Sequence, residues 1–338
     1  DHFRERRTAL PGSSAVTKNM LLLTCLLSCL SAAAVQAETT ASSSPASDWQ
    51  ISVKQKTLLN SHTSYEFGNP FPPYQQPLSR LEFPIDSVWA GVEVRKQFSR
   101  VSVGAGFLTT LLEQETGRFK DSDWDDDTMP NRLSIYGESS CRLNPSYQVE
   151  ADIDLQVADL LHLPSGFDLR PVAGFRWQQF SLVAHDGTQY DYITPGLPPD
   201  IQPLSGDSIA FEQNWYQYFL GVRFGYEWQR LSWLERLKLQ TQLDWSYVVG
   251  SNWDHHLLRA GNRITEEQTD GNGWHASMGV LFGLRPGLDL GIDADYLRLE
   301  TSGSHTLRND FLPVFTFSNG VKVWSEQYGV TVRAQFRF

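Results

Sequence analysis

The chain has 338 residues, 20% of them charged and 12% aromatic, and carries a formal net charge of -11. That length suits one large domain or two ordinary ones, and that composition is typical of a folded protein rather than a disordered one. The acidic charge argues against nucleic acid as a partner and mildly favours cationic partners.

Residues 1–37 are predicted to be an upstream leader followed by a secretory signal peptide. Residues 20–37 form an apolar run that ends in small side chains, with Val35 and Ala37 placed as a signal peptidase requires. The polar residues ahead of this run do not resemble a signal peptide, so we expect translation to start at Met20 or Val16. Two alternatives are a disordered leader and a lipoprotein signal ending at Cys29.

Residues 38–47 are rich in Ser, Thr and Pro and predict a flexible linker. Removal of the signal leaves Cys141 as the one cysteine, so an internal disulfide cannot form. No later stretch has the roughly 20 uninterrupted apolar residues that a spanning helix needs. If residues 48–338 enter a membrane, they must do so as a β-barrel.

From residue 49 onward, apolar and polar side chains alternate with the period of two that predicts β-strands. A β-bulge or a strand break is expected near Pro84, which has no N–H to donate, and an irregularity near Asn144. In chain order, strands are predicted over residues 49–67, 80–98, 101–111, 133–157, 167–184, 216–228, 237–256, 276–284, 288–296 and 328–338. Short turns alternate with long loops, which are predicted at 68–77, 113–131, 185–213, 257–272 and 297–327.

The stretch 237–256 is unusually long for a strand. At about 3.3 Å per residue it would reach roughly 60 Å, far beyond an ordinary globular strand. Its apolar face carries Leu243 and Trp245, and its polar face carries Asp244. A strand of this length suits a tall barrel wall, with the apolar face against lipid and the polar face lining the lumen.

The whole pattern predicts an all-β fold, a transmembrane antiparallel β-barrel of about ten strands with long extracellular loops. A soluble sandwich or lipocalin-type barrel would have shorter strands and an inward apolar face. The last strand alternates and ends in Phe338, like the signal that hands outer-membrane barrels to their insertion machinery. We therefore expect residues 48–338 to lie in the outer membrane of a Gram-negative bacterium, with its lipid and that machinery as partners.

Two polar constellations follow predicted strands three and seven, both of which rise toward the same side of the barrel. Asp121 and Asp123 lie in a predicted acidic loop, whereas Asp254 and His256 share the polar face at the end of the long strand. In a barrel of about ten strands, walls three and seven face each other across the lumen. Such a cleft could activate water, with His256 as the base, Asp254 orienting its ring, and the other two carboxyls sharing a proton.

Each constellation also has a plainer interpretation. Aspartate-rich loops are usually solvated or bind calcium loosely, but Asp126 and Arg132 stand where an EF-hand needs Gly and Glu. A single histidine is more often a rim residue. Zinc held by His255 and His256 is disfavoured because neighbours on a strand point to opposite faces. We therefore predict neither a metal nor a cofactor.

These segments resemble the omptins, a family of ten-stranded outer-membrane proteases. The likeness is carried by Asp-Ser-Asp-Trp at 121–124, Asp-His-His at 254–256 and Arg-Ile-Thr at 263–265, with support from residues 79–83, 169–184, 213–222 and the terminal Phe. It implies that Asp121, Asp123, Asp254 and His256 are catalytic residues of an aspartic-type endopeptidase acting on polypeptide substrates at the cell surface.

Departures from the family limit what the resemblance implies. Asn252 and Tyr65 stand where omptins carry the acidic residues that select basic substrate side chains. Gln179 and Asn214 stand where arginines that bind lipopolysaccharide would be expected. Cleavage beside Arg or Lys is therefore not carried over, and a dependence on lipopolysaccharide stays an open alternative.

Two kinds of function fit the sequence. The first is an omptin-like endopeptidase. The second is the same barrel without catalysis, as an adhesin, structural protein or narrow pore, although ten strands leave little open lumen. A lipid-modifying enzyme is disfavoured because no Ser/His constellation matches it.

Overall fold

The computed structural model describes residues 49–68, 77–126, 128–192, 194–231 and 234–338. The predicted leader, signal peptide and linker lie outside the described residues. Over the described ranges, no helix combines the length and hydropathy needed to cross a membrane.

All regular structure in the described ranges is β-strand, and every pairing is antiparallel. The strands are β1 (Trp49–Leu58), β2 (His62–Phe67), β3 (Ser79–Pro84), β4 (Ser87–Phe98), β5 (Val101–Thr109), β6 (Gln114–Asp123), β7 (Ile135–Leu143), β8 (Tyr147–Leu155), β9 (Phe167–Asp191), β10 (Asp200–Leu231), β11 (Leu234–His256), β12 (Arg263–Arg285), β13 (Leu288–Asn309) and β14 (Leu312–Arg337).

The strands close into two stacked rings that share the six long strands β9 to β14. In the lower ring, β14 pairs with β1, and the sheet continues through β4, β5 and β8 to β9. In the upper ring, β14 pairs with β2, and the sheet continues through β3, β6 and β7 to β9. Each ring therefore has ten strands, which confirms the predicted barrel.

The first four walls of the barrel are each broken into a lower and an upper strand. The predicted break near Pro84 is confirmed, because β3 ends there and β4 begins at Ser87. The irregularity predicted near Asn144 is confirmed as well, because β7 ends at Leu143 and β8 begins at Tyr147. These breaks let one wall change from the upper to the lower ring.

Several predicted loops are wrong, because they are upward extensions of the walls. The acidic segment at 113–131 contains β6, which carries Asp121 and Asp123. Three other predicted loops are shorter than expected, since Asp191 pairs with Asp200, His256 with Arg263 and Asn309 with Leu312. The predicted loop at 68–77 lies mostly outside the described residues. Polar composition suggested loops there, but a strand with water outside needs no apolar outer face.

An apolar belt surrounds the outer face of the lower ring, as predicted for contact with lipid. Its side chains are exposed and sit opposite one another in register, as Val222 and Leu243 do. Members of this belt are Val92, Val103, Phe107, Ile153, Tyr218, Leu220, Val222, Leu243, Trp245, Met278, Ile292 and Val332. A continuous band of this kind marks the segment that crosses the bilayer.

Inside the lower ring the lumen is polar, as predicted. Arg95 and Arg223 both bridge Asp152 and Asp154 at 2.7–2.9 Å. A cavity of about 300 Å³ lies among these and other charged side chains. Buried ions in a barrel interior are satisfied by such pairing.

Inside the upper ring the expected polarity reverses, and the lumen is filled by an apolar core. Phe83 is fully buried, stacks on Phe211 at 4.2 Å between ring centroids, and contacts Phe119 at 4.6 Å. Above the belt the outer face meets water, so the apolar residues gain more by turning inward. This core forms a floor beneath the mouth of the barrel.

Candidate active site

The upper end of β11 carries the first half of the site. Asp254 is fully buried, and one of its carboxylate oxygens, Oδ2, lies 3.1 Å from Nε2 of His256. His255 lies between them on the strand and contacts the ring of Trp253 on the opposite face. The alternation of a strand therefore places Asp254 and His256, here called the Asp–His pair, on the lumen side together.

The second half of the site lies on β6. Asp121 and Asp123, here called the carboxylate pair, face Leu81 and Ser79 of β3 in register. Both side chains are partly buried. They occupy alternate positions of a strand, so they point the same way, a constraint that the predicted loop would not have imposed.

The two pairs meet across the lumen. A cavity of about 20 Å³ is lined by both members of the carboxylate pair and by His256, together with Tyr65, Phe67, Ser79, Leu81, Arg259, Arg263 and Thr265. That volume has room for about one water molecule. The structure thus brings three of the four predicted side chains to one small cleft, and the fourth, Asp254, contacts His256 beside it.

Tyr65 takes part in the site in a way that the sequence did not indicate. It belongs to β2, is fully buried, and its hydroxyl donates a short hydrogen bond to Oδ2 of Asp254 on the far wall. Its ring stacks on Phe211 at 5.8 Å between centroids. The sequence comparison with the omptins indicated only that Tyr65 replaces an acidic residue of the family.

The site lies well outside the membrane. Tyr247 is exposed on the outer face of β11, two residues beyond Trp245 of the belt. His256 ends that strand about 30 Å farther along it, at about 3.4 Å per residue. The titratable groups of the site therefore face water and protein rather than lipid.

The charges of the Asp–His pair support each other. Burial disfavours the carboxylate of Asp254, but His256 beside it and the hydrogen bonds it accepts hold its pKa below the ordinary value. Burial likewise disfavours the imidazolium of His256, but Asp254 outweighs this and raises the pKa of His256 above 6.5. The carboxylate of Asp254 and the imidazolium of His256 therefore each favour the charged form of the other.

Both pKa values of the carboxylate pair are raised, in contrast to the lowered pKa of Asp254. Burial, and then the charge of Asp123, raise the pKa of Asp121 to about 7. Burial also raises the pKa of Asp123. Two carboxylates this close in a partly buried cleft favour a shared proton.

A second acid–imidazole pair lies behind the first and was missed by sequence reasoning. Oε1 of Glu267 is 2.9 Å from Nδ1 of His305, and both side chains are buried. Thr265, which lies between Glu267 and the site on β12, is 3.5 Å from Oδ2 of Asp254. Within the described part of the chain, no group of three or more His, Cys, Asp or Glu side chains could hold a metal ion.

The fold and the cleft together define an outer-membrane β-barrel with a carboxylate and imidazole site at its mouth. The sequence model of the omptin family matches residues 74–338, and the chain belongs to that family. It is an outer-membrane protein of a Gram-negative bacterium, and its membership of the omptin family supports an outer-membrane protease.

A solved structure shows the same fold, and a second is similar to a smaller degree. The outer-membrane protease OmpT from Escherichia coli has a TM-score of 0.75 at 17% identity, over 89% of this chain and 99% of that one. The translocator domain of the autotransporter NalP from Neisseria meningitidis reaches a TM-score of 0.35 at 9% identity, over 96% of this chain and 98% of that one. No curated protein matches this chain by sequence.

Proposed function

We propose that this protein is an omptin-like endopeptidase that cleaves polypeptides at the cell surface by direct attack of water. The observation that supports it most is the cleft of about 20 Å³ lined by His256 and both members of the carboxylate pair. In addition, one carboxylate oxygen of Asp121 and one of Asp254, Oδ1 in each case, are buried without a hydrogen-bond partner among the described residues. A water molecule in the cleft would supply the donors that such acceptors require.

His256 is the proposed base. Its Nε2 atom faces Asp254, so Nδ1 is the nitrogen left to take a proton from the attacking water. Asp254 holds the ring in place and stabilises the imidazolium that forms. The hydroxide adds to the scissile carbonyl carbon.

The carboxylate pair completes the reaction. The proton shared by Asp121 and Asp123 polarises the carbonyl oxygen as negative charge develops on it. When the tetrahedral intermediate collapses, the C–N bond breaks and His256 returns its proton to the leaving amine. The products are one new carboxylate and one new amine.

Substitution of His256 tests this function. The folded protein in detergent should cleave members of a mixed peptide library, and H256A should lower kcat/KM by at least about a hundredfold because the base is lost. H255A is the matched control, since His255 points to the opposite face. Cleavage that survives in H256A, with the barrel still folded by heat-modifiable gel mobility, would refute the proposed site.

A further inference from the structure

The second acid–imidazole pair, behind the site, takes no part in the proposed reaction. Glu267 on β12 and His305 on β13 are paired in register, and Oε1 of the first lies 2.9 Å from Nδ1 of the second. Both side chains are buried. Burying a carboxylate is unfavourable unless a partner compensates its charge, and His305 is that partner.

The imidazole of His305 is held in one orientation. Its ring stacks between Phe67, at 4.8 Å between centroids, and Phe317, at 6.3 Å, with interplanar angles of 18° and 11°. Phe67 also lines the cleft that contains His256. Rings on both sides leave the imidazole little freedom, so the pair is a fixed part of the wall beside the cleft.

The other carboxylate oxygen of Glu267 lacks a donor. Oε2 is buried without a hydrogen-bond partner among the described residues. Asn252 lies opposite Glu267 in register, but its amide is oriented by Gln213, whose Nε2 donates to Oδ1 of Asn252 at 3.0 Å. A buried acceptor in this position attracts any donor within reach.

A donor within reach is the hydroxyl of Thr265, which also contacts the Asp–His pair. Thr265 precedes Glu267 by two residues on β12, so both side chains face the lumen. Its Oγ1 lies 3.5 Å from Oδ2 of Asp254, and it is close enough to Glu267 to stabilise the ionised carboxylate. A hydroxyl has one proton to donate, so Asp254 and Glu267 compete for it.

Charged and titratable groups reach this region from several elements. Those facing His256 are Asp254 on its own strand, Arg263 on β12, Arg259 in the connecting turn, and Asp121 and Asp123 on β6. Those facing Glu267 are His305 on β13, Asp254 on β11 and Tyr65 on β2. Burial raises the pKa of Glu267, and His305 opposes this by stabilising the carboxylate. When ionised, Glu267 places a second negative charge beside Asp254.

We propose that Glu267, held by His305, is a positioning residue that sets how strongly His256 holds its proton, acting through the hydroxyl of Thr265 and the carboxylate of Asp254. This inference rests on the proposed function and concerns the regulation of its base. Ionised Glu267 repels the charge of Asp254 and draws the Thr265 proton away from it, which makes Asp254 more basic and favours the imidazolium. Neutralising Glu267 removes both effects, so His256 should release its proton at lower pH.

Titration of His256 by NMR tests this coupling. The ring signal of His256 in the folded protein in detergent is assigned by its loss in H256A, and its midpoint is followed with pH. We expect E267Q to lower the midpoint by about 0.5 pH unit or more. H305F keeps a ring in the stack and should also lower it, because a buried Glu267 without its partner takes up a proton. Unchanged midpoints in these variants, folded by heat-modifiable gel mobility, would overturn the inference.

The role of Thr265 is tested by repeating E267Q in three backgrounds. T265S keeps the hydroxyl and should keep the full downward shift, whereas T265V removes it and should reduce the shift by about half or more. T269V is the matched control, because Thr269 lies on the same face of β12 but its hydroxyl accepts from Thr301 instead. A shift as large in T265V as in T269V would overturn the route through Thr265.

Peptide cleavage separates this inference from the proposed function. If peptides are cleaved, the acid limb of kcat/KM should move to lower pH in E267Q, in parallel with the NMR midpoint. An acid limb that E267Q does not move would overturn the inference and leave the function standing. A midpoint that E267Q lowers, in a wild type that cleaves no peptide, would refute the function and support the coupling of Glu267 to His256.

Discussion

Oδ2 of Asp254 is the atom at which the site is organised. It lies 3.1 Å from Nε2 of His256, and it also accepts a hydrogen bond from the hydroxyl of Tyr65, which reaches across the barrel from β2. An ionised acceptor held by two donors keeps its charge and its orientation. Tyr65 is thus a positioning residue, since it acts on the base through Asp254.

Y65F tests this positioning role. It keeps the ring that stacks on Phe211 but removes the donor, so Asp254 becomes a more basic carboxylate. We expect kcat to fall by about tenfold with little change in KM, and the acid limb of the pH profile to move to higher pH because the pKa of His256 rises further. Y296F is the control, because Tyr296 donates to Glu326 far from the cleft. An unchanged pH profile in Y65F would contradict the role.

The pH dependence of the wild-type activity follows from the shifted pKa values of the Asp–His pair and the carboxylate pair. The base must be neutral, so kcat/KM should rise with pH through the raised pKa of His256, with a midpoint above 6.5. At higher pH, kcat/KM should fall again as the carboxylate pair loses its shared proton, because the pKa of Asp121 is raised to about 7. The measurement is kcat/KM of a peptide without titratable groups. A rate that stays level from about pH 5 to 8 would contradict both assignments.

At the scale of strands, the site depends on β6 and β11 being held by the core beneath them. Phe83 of β3 is the centre of that core, in contact with Phe119 of β6 and Phe211 of β10. Phe119 is two residues before Asp121 on the same face, and Phe211 pairs with Asp254. Packing of these rings therefore sets the distance between the two halves of the cleft.

F83A tests this dependence. Removal of a fully buried ring should lower the stability of the upper ring by about 3–5 kcal/mol and reduce kcat, while the lower ring stays folded. Hydrogen exchange of the amides of β2 and β3, compared with those of β1 and β4, measures the effect. F98A, which removes an exposed ring, should change neither. Equal exchange in F83A and the wild type would contradict the role of the core.

The alternation of the sequence predicted the ten walls because lipid imposes an apolar outer face on every strand of the lower ring. The same signal failed above the belt, where water lies outside and apolar residues such as Leu81 and Phe83 turn inward. Asp254 and His256 were placed correctly by strand parity. The contact of Tyr65 with Asp254 could not be predicted, because contacts across a lumen depend on strand tilt and register shift. The contact of Glu267 with His305 was missed because these residues, which pair directly between β12 and β13, lay in segments predicted to be loops.

At the scale of the whole molecule, the barrel is closed along its axis. Charged side chains are paired within the lower ring, and the apolar core fills the upper ring beneath the cleft. The mouth is therefore a shallow site open to one side only.

This closure bears on the alternative of a narrow pore. In planar bilayers the wild type should give no steady ion current, since water-filled passage through the apolar core is unfavourable. An R308Q barrel, altered only on its outer surface, serves as a control for insertion. A stable open conductance of the wild type would favour the pore.

The account rests on the claim that the carboxylate pair and the Asp–His pair act as one unit on one water molecule. The most direct test is kcat/KM of D121N, H256A and the double variant, measured on one peptide with folding verified for each. We predict that each single change lowers kcat/KM by at least about a hundredfold and that the double variant is no slower than the slower single one. Losses that multiply in the double variant would show that the two halves act independently and would contradict the shared site.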